Sequence, residues 1–98
     1  MAEFTVTATL WRHHGAGGWH FVTLPGLLSD EIRARNQGGH RPFGSLPVMA
    51  TIGATTWETS LFPDRAKDAY LLPVKTAVRK AERISDGDSI VATIDVGR

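Results

Sequence analysis

The feature that most limits what this chain can become is a period of two. Between residues 4 and 11, Phe4, Val6, Ala8 and Leu10 alternate with Thr5, Thr7, Thr9 and Trp11. Successive side chains of a strand point to opposite faces, so such a run buries one face and solvates the other. Leu46, Val48, Ala50 and Ile52 repeat the pattern, as do Trp57, Thr59 and Leu61 after Gly53-Ala54. Two turn residues with Gly first have the sequence of a type II′ hairpin. Residues 19–24, ended by Pro25-Gly26, residues 69–72, ended by Pro73, and residues 89–96 supply three further strands.

Two segments read as helices. Ser29 ahead of Asp30, Glu31 and Ile32 has the arrangement of an N-cap with acids in the first turn, and Gly38-Gly39 must end the helix it starts. Residues 40–44, His-Arg-Pro-Phe-Gly, then form a loop. The second helix is expected over 74–84, with Pro73 at its first position. At about 100° per residue, Val74, Ala77, Val78, Ala81 and Ile84 share one arc, with Lys75, Arg79, Lys80 and Arg83 opposite. Ser85-Asp86-Gly87-Asp88 makes the exit, where Gly87 is expected to take a positive φ. The order β-β-α-β-β-β-α-β has too few helices to cover a parallel sheet on both faces. The expected fold is mainly β: a small six-stranded split β-barrel with two short α-helices, a single domain over residues 1–98. Its core should hold Val6, Leu10, Val48, Ile52, Leu61, Val78, Ile84, Ile90 and Ile94.

Composition removes several classes of function. The chain has no Cys, so disulfides, thiolate metal sites and thiol catalysis are excluded. Lys+Arg 11 against Asp+Glu 10 gives a net charge of +1, which names no partner. No apolar run approaches the ~20 residues of a membrane-spanning helix. The opening MAEFTVTATL lacks the basic start and apolar stretch of a secretory signal, so the cytoplasm is the expected location.

At this point the residues resemble a known family. Leu24-Pro25, the Gly53 hairpin with Trp57-Glu58-Thr59-Ser60-Leu61, and Tyr70-Leu71-Leu72-Pro73-Val74-Lys75 carry the likeness, together with Val78-Arg79-Lys80-Ala81, Ile84 and Gly87-Asp88. They resemble the bacterial DUF1905 family of small domains without an assigned function, over nearly the whole chain. The C-terminal part is also similar to the GD box of AbrB-type transition regulators, in which strand, Pro, short helix and Gly-Asp turn lead into another strand. The resemblance implies a double-split β-barrel and no particular activity, since one barrel hosts many. The DNA-binding arginines of the AbrB pattern have no aligned counterpart here.

Few residues carry chemistry. His13, His14, His20 and His40 form neither HExxH nor a two-His-carboxylate pattern, and no Gly-x-Ser-x-Gly elbow is present, so no catalytic residue, metal ligand or cofactor is assigned. Residues 15–18, Gly-Ala-Gly-Gly, lack the Lys-Ser/Thr and following helix of a phosphate loop and read as a hairpin connection. Trp11 is a candidate for stacking a flat ligand, because its alternation places it on the threonine face, away from the core. Lys75, Arg79, Lys80 and Arg83 are candidates for an anion or an acidic partner. The same stripe also serves as the solvated face that any amphipathic helix requires. These features favour a non-catalytic module that binds a small molecule or a protein. The alternative is an AbrB-like nucleic-acid-binding regulator.

Overall fold

The computed structural model describes residues 2–15, 17–35 and 44–96. Among the described residues, six strands and two helices follow in the expected order. They are β1 (Ala2–Arg12), β2 (His20–Thr23), α1 (Gly26–Arg35), β3 (Leu46–Ile52), β4 (Thr55–Asp64), β5 (Ala69–Pro73), α2 (Thr76–Glu82) and β6 (Ser89–Val96). All neighbouring strands are antiparallel, and the ring β1-β2-β5-β4-β3-β6 closes on itself. Two long strands carry the closure: residues 2–9 of β1 pair with β6 and residues 10–12 with β2, while residues 55–61 of β4 pair with β3 and residues 62–64 with β5.

Alternation sets the inside of the barrel. Phe4, Val6 and Leu10 from β1, every second residue of β3 from Leu46 to Ile52, Trp57 and Leu61 from β4, and Ile90, Ala92, Ile94 and Val96 from β6 are all buried. The expected core is found, except that Ile84 is only partly buried and packs against the cluster from its rim. The Gly53-Ala54 turn joins β3 to β4 with Ile52 opposite Thr55. Gly53 has φ +59 while Ala54 stays on the ordinary side, as a turn with Gly in its first position requires. A Cβ at Gly53 would run into the Glu82 carboxylate. That carboxylate accepts a hydrogen bond from Thr55 Oγ1 at 2.6 Å and so fastens α2 to the hairpin.

Several local expectations are corrected. Trp19 precedes β2 instead of belonging to it, and β4 runs on past Leu61 to Asp64. Helix α1 begins at Gly26, which places Ser29 inside it, not at its cap. The Ser29 hydroxyl is fully buried; it donates to the Leu24 carbonyl at 3.3 Å and accepts from the Tyr70 amide at 3.0 Å, tying α1 to β5. Helix α2 is shorter than the apolar arc implied. Pro73 ends β5, Lys75 is the N-cap, and Ala77 and Ala81 face solvent. Its exit is made at Arg83, in the left-handed conformation with φ 55, and the Ile84 amide returns to the Arg79 carbonyl.

The positive φ of Gly87, +94, belongs to the next turn, and that turn is a fastening. Leu10 and the turn exchange two hydrogen bonds, Leu10 N–H to the Asp88 carbonyl and Gly87 N–H to the Leu10 carbonyl, both at 2.8 Å. Asp88 also accepts from the Ser85 amide, and Asp86 from the Arg12 amide. The Gly-Asp pair therefore pins the α2–β6 corner to β1 at the point where β1 changes partner. The stop expected at Gly38-Gly39, the loop at 40–43 and Ala16 lie outside the described residues.

Candidate functional site

The residues left outside the barrel by the alternation make its most distinctive surface. Trp11 stands opposite Phe21, and Phe21 opposite Pro73, while one step along the strands Thr23, Leu71 and Phe62 form a parallel row. Their chain neighbours Leu10, Val22, Leu72 and Leu61 are fully buried, so both rows face outward. Trp19, held by the hydrogen bond from the His13 amide to its own carbonyl, lies over Phe21 with ring centres 6.1 Å apart and planes 11° from parallel. Trp19 is 56% exposed and Phe62 43%, a costly display of apolar area for so small a domain.

These two rings border two hollows. One, of about 320 Å³, is lined by His13, Trp19, Phe21, Phe62 and Leu71. The larger, of about 640 Å³, is lined by Trp19 and Phe62 with Pro47, Met49, Trp57, residues 58–60, Pro73 and Lys75. Together they form an aromatic groove that runs over β2, β5, β4 and β3, with Lys75 and Glu58 in its lining.

Trp11 lies on the face that the alternation gave it, but its surface is engaged. Its indole Nε1 donates to Thr23 Oγ1 at 2.9 Å, its ring meets Phe21 at 5.2 Å, and the Lys67 ammonium stands 4.8 Å from its ring centre. The open indole is that of Trp19, a residue whose sequence context suggested a strand. Its exposure depends on where the 13–19 loop folds back, and the strand period holds no signal for that.

The four basic residues are divided. Lys75 belongs to the aromatic groove. Arg79, Lys80 and Arg83 border a separate depression of about 430 Å³ with Thr76, Ile84 and Ser85. Arg79 is turned onto its own helix, donating to the Val74 carbonyl at 2.7 Å and to Thr76 Oγ1 at 3.0 Å, so its guanidinium is engaged locally. Of the histidines, His13 Nδ1 accepts from the Gly15 amide and His20 Nδ1 donates to the Gly18 carbonyl, both local loop contacts. His14 is exposed, and His40 lies outside the described residues. Among the described residues no three His, Asp or Glu side chains gather as a metal site would need, and no helix is long and apolar enough to cross a membrane.

With this geometry in place, comparison with known proteins identifies the family. The family model described as "Domain of unknown function (DUF1905)" matches residues 7–94. No curated protein matches the chain.

Proposed function

The chain belongs to the DUF1905 family, and from that premise we propose that it is a non-catalytic binding module of the bacterial cytoplasm, which takes its ligand in the groove between Trp19 and Phe62. One observation carries this reading. The two most exposed aromatic rings of the described chain, one from a loop and one from β4, flank the same hollow instead of being scattered. Neighbouring apolar exposure of this kind marks interaction surfaces in soluble proteins. Lys75 supplies a charged group that can orient a ligand in a mostly apolar site.

The test uses flat aromatic acids, naphthalene-2-carboxylate and indole-3-acetate, titrated into the labelled domain and followed by NMR. Coincident shifts of the Trp19 indole and the Phe62 amide are expected, and they should vanish in Trp19→Ala and Phe62→Ala. Both variants remove exposed side chains and should fold to within ~0.5 kcal/mol of the parent. Absence of any shift at millimolar probe, or shifts confined to Arg79, Lys80 and Arg83, would overturn the assignment.

A further inference from the structure

We propose that the ligand of this groove is a monoanion, a carboxylic acid carried on a flat apolar body, whose carboxylate pairs with the Lys75 ammonium. The proposal rests on the groove being a binding site and adds the class of molecule it takes. The cations of the α2 stripe are not equivalent. Arg79 bonds its own helix and, with Lys80 and Arg83, borders the separate depression, which Lys75 does not line. Lys75 alone of the four lines the hollow of about 640 Å³, together with Trp19 and Phe62.

Its place there is fixed by the main chain. Pro73 pairs with Phe21, the Val74 amide bonds the His20 carbonyl, and the Lys75 carbonyl accepts from the amides of Val78 and Arg79, both at 3.1 Å. The backbone is thus tied to the sheet just before Lys75 and to the helix just after it. Its side chain is not tied. Among the described residues the ion pairs are those of Arg33 with Asp30 and Asp68, and the exposed Lys75 ammonium enters none.

The rest of the hollow decides which anion suits it. Val48 and Trp57, both core residues, belong to its lining, so the hollow reaches down to the barrel wall. With Trp19 and Phe62 they offer apolar surface to a ring system. Thr59 and Ser60 bring two hydroxyls into the same hollow, neither of them hydrogen-bonded among the described residues. An ammonium and two hydroxyls can all donate, and a carboxylate, which only accepts, is complementary to that set. A phosphate suits it less well. One ammonium balances one negative charge, and Glu58, which lies in the lining and has an interaction of its own, repels the second charge of a dianion.

The experiment compares four probes that share one ring system: naphthalene-2-carboxylate, the neutral naphthalene-2-carboxamide, the cation 2-naphthylmethylammonium and the dianion 2-naphthyl phosphate. Each is titrated into the intact domain at low salt and followed by the NMR shifts of the Trp19 indole and the Phe62 amide. The apolar contact is common to all four, so their differences report the head group. The carboxylate should bind about fivefold more tightly than the carboxamide, the scale of an exposed charge pair, and the ammonium should bind weakest. That gap should close as salt is raised, which tests the charge without any variant. In Lys75→Gln the carboxylate should fall to the level of the carboxamide, whose own affinity is unchanged. Lys75→Arg should keep the preference, and Lys80→Gln should leave every affinity as it was. Equal affinity for acid and amide, a preference that survives Lys75→Gln, or tighter binding of the phosphate would each overturn the carboxylate assignment. If the carboxamide still shifts Trp19 and Phe62 in those cases, the groove remains a binding site and only the ligand class is rejected. If no probe shifts either residue, both readings fall.

Discussion

Replacing Ser29 by Ala tests the view that a buried hydroxyl, and not a helix cap, is what this position contributes. The side chain is fully buried and its oxygen is the acceptor for the Tyr70 amide. Taking away a buried acceptor costs about 1–3 kcal/mol, because the amide left behind finds no water. Ala is the better helix former by about 0.5 kcal/mol, and position 29 lies inside α1, so the net loss is about 1.5 kcal/mol. With an unfolding entropy near 2.1 cal/mol/K per residue, the 98-residue chain has about 0.2 kcal/mol/K at its midpoint. Thermal unfolding followed by circular dichroism should therefore show a Tm lower by about 7 °C. The Tyr70 amide should exchange faster than its β5 neighbours, and Ser89→Ala, at an exposed site, serves as control. A Tm within about 2 °C of the parent, or an unchanged Tyr70 exchange rate, would refute the reasoning.

Three further outcomes are expected. Gly87→Val should cost more than ~1 kcal/mol in denaturant unfolding, although a Cβ there meets nothing within 4 Å, because φ +94 strains a β-branched residue; an unchanged midpoint would refute the role of the turn. Tyr70, the only tyrosine, has its phenol pKa raised above 10.0 by burial, against a smaller opposing effect of the Arg33 guanidinium. The neutral form is the one the fold favours, so this contribution is complete below pH ~10 and disappears as pH rises through the higher folded value. Absorbance should show tyrosinate appearing only above the usual midpoint and together with loss of fold. For the regulator alternative, four phosphate contacts would give a log–log salt slope of about −3.6. Arg79 bonds its own helix and Lys75 faces another hollow, so labelled duplex DNA should show no binding at low salt. Salt-sensitive micromolar binding lost in Lys80→Ala/Arg83→Ala would restore that function.

Strands were legible in the sequence wherever one face is buried and the other wet, because burial imposes the period directly. Residues 4–11, 46–52 and 57–61 are examples. Helix starts were less so. Ser29-Asp30-Glu31 has the local chemistry of a cap, while the partner of its hydroxyl lies 41 residues away. Pro73 suits the first turn of a helix as well as the end of a strand, and only its pairing with Phe21 decides for the sheet. The groove was the least legible part. Trp19, Phe62 and Lys75 come together through the registers of β2, β5 and β4, and no local pattern encodes a register shared by three strands.

Closing the ring with the first and last strands also governs how the chain acquires its shape. Thr5 and Thr93 face each other across the seam, 88 residues apart. The β3–β4 hairpin can form within microseconds around its own turn, but β6 has to enter between β1 and β3 after the other five strands have been synthesised. Until it does, two strand edges stand bare, each a template for pairing with another copy. Pairings at such separation belong to the slowest class of small-domain folding, milliseconds to seconds. Chains stalled on the ribosome before residue 89 should therefore be the ones that chaperones and aggregates collect.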